Sequence, residues 1–268
     1  MKKFLLPFVS FLFVLFATTS CKKIINNATT NPVPPTPTIT APGAYYGTLT
    51  SIRTYFEFDP NKFSPVKLPV ALPMMNIDLE TAVASFSTTT SSTTLTDAGA
   101  VDVNTFSLTK ADNNAYYRNG FSPTSPTNVD LNFSSGSNWN VAGSSSVTAF
   151  TYNHNVAFPS YGGLATLPTT VTKSSNLSLN ISSSNADSIY VAILSGSSTS
   201  TGTVIKRYGG TATNIVINSS DLSALTTTGS DGIAYLEVIP WRYNTATLNS
   251  KDYVFMKLAA YVKNIEIE

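Results

Sequence analysis

One cysteine and one histidine occur in 268 residues, and charged residues make up only 12% of the chain. That scarcity excludes a Cys/His zinc site, an internal disulfide, an iron–sulfur centre and a Cys-His dyad. No Gly-x-Ser-x-Gly elbow and no Walker or dinucleotide fingerprint occurs. Gly162-Gly163 and Gly209-Gly210 stand outside the strand, glycine, helix setting that a phosphate cradle requires. The expectation is no cofactor, no nucleotide and no resident metal. Nucleic acid is not an expected partner either, because the net charge is +1 and basic residues form no cluster. What the chain does contain is 42% hydrophobic and 11% aromatic residues, with Ser, Thr and Asn adding roughly a third. This mixture suits half-buried strands and excludes a helical bundle.

The first segment has Lys2 and Lys3, an apolar run from Phe4 to Ala17, then small residues up to Ser20 and Cys21. Such a layout is that of a secretory signal peptide, and a run of about 14 residues is short of the roughly 20 that cross a bilayer. Ala17-Thr18-Thr19-Ser20-Cys21 resembles a bacterial lipobox, although Thr18 departs from the usual Leu. The resemblance implies cleavage before Cys21, acylation of that residue and export to the outer membrane, with the periplasmic or surface side left open. Several acyl chains would anchor the chain stably, at about 0.8 kcal/mol per buried methylene. Residues 21–43 then read as the lipidated Cys and a Pro/Thr-rich tether, extended at about 3.1 Å per residue.

The remainder alternates apolar and polar residues with a period of two, interrupted by turn clusters, which predicts an all-β fold of antiparallel sheets. Leu177, Leu179 and Ile181 share one strand face, as do Ile189, Val191 and Ile193, and Ala234, Leu236 and Val238. Two β-sandwich domains are expected, 44–167 and 168–268, meeting near Leu167-Pro168. In the second, about seven strands in about 100 residues match an immunoglobulin or fibronectin type III-like unit in number and spacing. Expected strands of the first are Tyr46 to Phe58, Met75 to Phe86, Val101 to Leu108, Ala115 to Phe121, Val129 to Phe133, Trp139 to Ala142 and Val147 to Phe158. The only helix signal is Ser219 to Leu225, with a capping Ser and Leu222 and Leu225 three apart. Near the C-terminus, Val254 to Val262 are apolar at even positions and Ile265 and Ile267 at odd ones, which predicts a bulge or sheet switch near Lys263-Asn264. Lipobox, leader and strand pattern together resemble uncharacterised outer-membrane lipoproteins of the Bacteroidota, and that resemblance carries no catalytic residues with it.

Four groups of residues are candidates for chemistry. His154, the sole imidazole, would have to serve any Ser-His-Asp triad, and the simpler expectation is a strand or loop residue. Asp78 and Glu80, like Glu57 and Asp59, project from one strand face roughly 6 to 7 Å apart, near the spacing of inverting glycosidase carboxylates. Asp97, Asp102, Asp112 and Asp231 offer oxygen ligands for calcium without forming a calcium loop. Trp139, Trp241, Tyr243, Tyr116 and Tyr117 sit beside turns with Asn and Arg nearby and could form a glycan-stacking platform, or pack at strand ends. The expected function is a non-enzymatic, membrane-anchored binding (glycan or protein) or structural envelope module, with polysaccharide or an envelope protein as partner. The alternative is a carbohydrate-active hydrolase using paired carboxylates.

Overall fold

The computed structural model describes residues 45–58, 75–90, 92, 94–119, 131–196, 200–228 and 232–268. The signal segment 1–20, Cys21 and its tether, the Pro-rich loop Ser122 to Thr127, Asp59 and Asp231 lie outside these residues. In chain order the strands are β1 (Gly47–Phe58), β2 (Met75–Phe86), β3 (Val101–Val103), β4 (Phe106–Ser107), β5 (Thr109–Lys110), β6 (Tyr116–Asn119), β7 (Ser137–Val141) and β8 (Phe150–His154). There follow β9 (Ser160–Tyr161), β10 (Thr170–Val171), β11 (Leu177–Asn180), β12 (Ser183–Ser184), β13 (Ser188–Gly196), β14 (Thr201–Gly209), β15 (Asn214–Ile217), β16 (Ile233–Leu248) and β17 (Lys251–Ile267). The fold is an all-β sandwich, as the period-two pattern requires.

A central sheet runs in the order β14-β13-β16-β17-β1-β2-β6-β5, and β10 also pairs with β17. It draws on both halves of the sequence, with β1, β2, β5 and β6 before Leu167 and β13, β14, β16 and β17 after it. Most of its pairs are antiparallel, but β1 lies parallel to β17, with Leu49 beside Phe255 and Tyr55 beside Tyr261. On the inner face of this sheet sit two cores. The first joins Leu49, Phe86, Tyr253 and Phe255 to Val101, Val103, Trp139, Val141 and Phe150 beneath the sheet β4-β3-β7-β8. The second joins Ile189, Val191, Ile193, Leu236, Val238 and Ile265 to Leu179, Ile215, Ile217 and Leu222 beneath the pair β11-β15.

No bulge occurs against β16 near Lys263-Asn264. On its other edge, however, β17 passes there from β1, paired up to Lys263, to β10, paired from Glu266, the switch that was the alternative expectation. Ala234 faces Ile265, Tyr235 faces Asn264, Leu236 faces Lys263 and Val238 faces Tyr261, a register without a slipped residue. Both parities of β17 are buried. Odd positions Tyr253, Phe255, Ala259, Tyr261, Ile265 and Ile267 enter the two inner cores, whereas even positions Val254 to Val262 form a third cluster on the outer face. A strand between two apolar faces loses its simple alternation, and Lys257 and Lys263 at odd positions masked the inner stripe.

Elsewhere local chemistry explains the differences. The expected strand from Val101 to Leu108 folds into a hairpin because Asn104 takes a left-handed φ of 53° at its turn. Phe133–Ser135 is a 3-10 turn instead of a strand end. The short helix α1 (Ser219–Leu222) buries Leu222 and Leu225, as their spacing predicts. Its cap is not a Ser: no neighbouring side chain caps it, and the Ser219 backbone N–H donates to Asn176 Oδ1 at 2.9 Å, from across the β11-β15 layer. Asn176→Ala is expected to cost about 1 kcal/mol, read as a lowered denaturation midpoint, whereas Ser220→Ala should be neutral.

Candidate functional site

The two inner cores meet along a polar seam, and here the ionisable side chains converge. Period-two geometry places Ser51 and Arg53 of β1, Glu80 of β2 and Lys257 of β17 on the same inner face, because Ser51 pairs with both Lys257 and Ala82, and Arg53 pairs with Glu80. Arg53 donates through Nε and Nη2 to Glu80 Oε1, at 2.9 and 2.8 Å. The other Glu80 oxygen accepts the Phe133 backbone N–H at 3.2 Å. Lys257 is 1% exposed, and its ammonium donates to the Val156 carbonyl at 2.8 Å. β8 ends at His154, short of the strand expected through Phe158. Phe158 lies between the two cations, 5.0 Å from the Arg53 guanidinium and 4.8 Å from the Lys257 ammonium, and stacks on Phe133. Burial and the neighbouring Arg53 charge push the Lys257 amine down to about 8.

His154 closes this seam from β8. Its ring is 1% exposed, between Tyr152 and Phe255, and neither ring nitrogen has a hydrogen-bond partner among the described residues. Ser137 faces it across the β7-β8 ladder, yet the Ser137 hydroxyl oxygen accepts from Ser51 at 2.8 Å. A triad needs a base bonded to its nucleophile and oriented by a carboxylate. Here the imidazole has neither, and burial, with the Lys257 and Arg242 charges, lowers it to about 4, so it stays neutral. His154 is thus a core residue of a strand, as the simpler expectation had it.

Asp78 and Glu80 share the inner face as their spacing predicts, Asp78 exposed at its margin and Glu80 engaged by Arg53. Glu57 lies 3.6 Å from the Lys263 ammonium. The calcium candidates are used separately. Asp97 accepts from Lys110, Tyr116 and the Gly99 N–H, which together hold its carboxyl well below the usual range. Asp102 accepts from Ser107 and Asn140, and Asp112 is exposed. Among the described residues no three His, Cys, Asp or Glu side chains gather as a metal site would need.

The aromatic candidates do not form one platform. Trp139 is 1% exposed in the first core, and Tyr116 reaches the same core while its hydroxyl donates to Asp97 and accepts the Ala98 N–H. Trp241 is 5% exposed on the outer face. These three rings offer no open face to a sugar: Trp139 and Tyr116 point into the first core and Trp241 packs in the outer-face cluster, and nearness to a turn did not distinguish these directions. Tyr117 and Tyr243 are half-exposed. Tyr243 belongs with Trp241 and Tyr190 to an outer-face row, with ring centroids 5.7 and 5.8 Å from the indole.

Sequence reasoning missed Arg53, Lys257 and Glu237. Glu237 is 2% exposed on the outer face, facing Ala192 and Val262, and its Oε1 has no partner among the described residues. A usable signal existed, since Glu237 and Lys257 are single charges inside otherwise apolar runs, and a charge in such a run is buried when both sheet faces are covered. No family model, no curated protein and no solved structure matches this chain.

Proposed function

We propose that the chain is a non-enzymatic envelope lipoprotein, exported and anchored to the outer membrane through Cys21, whose β-sandwich body binds a glycan or protein or plays a structural role. One observation carries this reading. The groups that could do acid–base chemistry, Glu80 and His154, are 9% and 1% exposed and spent on packing and pairing instead of facing an opening. A fold that fixes its few charges in this way gains a stiff scaffold. Of the five aromatic candidates, Tyr117 and Tyr243 are half-exposed and so able to meet a ligand.

The hydrolase reading keeps one support, the shared face of Asp78 and Glu80 with Asp78 exposed. A polysaccharide and glycan panel separates the two, run with and without calcium and scored for both retained substrate and released sugar. Retention without release is expected for a capture module, and retention by nothing points to a protein partner or a structural role. Released sugar that disappears in both Asp78→Asn and Glu80→Gln would overturn the non-enzymatic reading. In the scaffold reading, Glu80→Gln weakens the charge-assisted contact with Arg53 and costs about 1.5–3 kcal/mol of stability, read by denaturant titration.

A further inference from the structure

Beyond Trp241, β16 becomes an edge of the central sheet. β13 begins at Ser188, which faces Trp241, so residues 242–248 have β17 on one side and, among the described residues, no strand on the other. Two hydrogen bonds fix which backbone groups point to that open side. The Trp241 carbonyl accepts from the Asp187 N–H at 2.9 Å, and the Tyr243 N–H donates to Asp187 Oδ2 at 3.0 Å. Backbone groups alternate sides along an antiparallel strand, so those of Thr245 and Thr247 point the same way. Both residues are exposed, and among the described residues nothing bonds to their outward N–H and carbonyl groups. We propose that a second copy of this chain pairs here, β16 against β16 in antiparallel sense, with Thr245 opposite the partner's Thr247 and Ala246 on the two-fold axis.

The edge matches itself. In an antiparallel ladder, two outward residues standing opposite exchange both of their N–H···O bonds, and the axis repeats the pairing of Thr245 with the partner's Thr247 in mirror order. A register centred on Thr245 would instead need the Tyr243 N–H, which Asp187 already holds. At the other end, Asn249 and Ser250 take left-handed φ values of 51° and 60° and turn the chain back into β17. The partner's strand therefore runs out at its Leu248, opposite Asn244, one residue short of the Asp187 carboxylate.

The side chains agree with that occupant. Edges that avoid pairing carry a Lys, a Pro or a bulge, and the stretch from Tyr243 to Leu248 has none of these against β17. It also holds no charge, so a copy laid against it meets no like charge within the paired stretch. Thr245 and Thr247 stand on the outer face, opposite Val254 and Asp252 of β17, where Thr–Thr pairs across the new ladder are favourable. Ala246, on the other face, puts only a methyl group at the axis.

The test uses the full chain with Cys21→Ser, so that each introduced cysteine is the only thiol. Ala246→Cys should form a disulfide dimer on mild oxidation, because opposed residues of a non-hydrogen-bonded pair lie about 4.5 Å apart between Cα atoms, within disulfide range. Asn244→Cys and Leu248→Cys should each bridge about fivefold less alone, yet join each other when the two chains are mixed. By sedimentation equilibrium the parent chain should dimerise, with a dissociation constant raised about tenfold or more in Thr245→Pro, which removes an outward N–H and leaves the bonds to β17 intact. Thr245→Lys with Thr247→Lys should likewise prevent dimers, whereas Thr245→Asp with Thr247→Lys should keep them, since opposite charges then face each other. A parent chain that stays monomeric and gives no Ala246→Cys bridge overturns the proposal. So do bridges whose yield is unchanged by Thr245→Pro, the mark of random collision, and self-bridging of Asn244→Cys above that of Ala246→Cys, which would put another residue on the axis.

Discussion

Trp139→Ala is expected to cost about 3–5 kcal/mol, the range for truncating a large buried aromatic, and so to lower the melting temperature by roughly 10 °C. The side chain is 1% exposed, with Val103 and Tyr152 as its register partners on either side, and the residues of the first core close around it. Nothing described accepts from its indole N–H. Trp139→Phe should therefore recover most of the loss, since it forfeits volume but no hydrogen bond. Tyr243→Ala, at a half-exposed position, should stay within about 1 kcal/mol. Scanning calorimetry of the three variants checks the ordering; equal melting temperatures for Trp139→Ala and the parent chain would place the indole outside the core.

Glu237 and His154 should impose opposite pH dependences of similar size. Burial pushes the Glu237 carboxyl from 4.5 up to about 7, with Tyr235 on its own strand face and apolar Ala192 and Val262 opposite. The folded chain keeps that proton until about pH 7, whereas the unfolded chain releases it near 4.5, so stability falls by about 3 kcal/mol as pH rises across this window. Burial and the Lys257 and Arg242 charges act on His154 in the reverse sense. The folded chain excludes its proton above about pH 4, the unfolded chain holds it up to 6.5, and stability rises by about 3 kcal/mol over that span. Asp97 titrates below this range and Lys257 above it. Between pH 4.5 and 6.5 the two slopes oppose each other, and the parent chain should be nearly flat. Glu237→Gln leaves only the rise, His154→Leu only the fall. Denaturant midpoints at half-unit pH steps read this directly, and parallel curves for the two variants would sink the assignment.

These opposed residues illustrate how unevenly the sequence discloses the molecule. Where one strand face meets core and the other meets water, alternation alone was enough: β2 has the bounds its pattern predicts, and Leu179 and Ile181 point inward as read. Where both faces are covered, the same rule misled. The switch of parity in the last strand looked like a bulge and proved to be two apolar stripes back to back. Turn proximity likewise said nothing about direction: it left Trp139 and Tyr116 either as a glycan platform or as rings packed at strand ends, and both lie in the first core.

By itself the sequence determined the all-β class, the bounds of β2, the short helix and the lack of Cys and His for a metal centre, because each depends on local period, propensity or composition. Only the tertiary structure decided that β1 pairs in parallel with β17, some 200 residues away, and so joins strands from both halves of the sequence in one sheet. The same long-range pairing assembled Arg53, Glu80 and Lys257 around Phe158, and left His154 without a hydrogen-bond partner among the described residues. Contacts of that kind are set by which strand edges find each other during collapse, and no window of neighbouring residues encodes them.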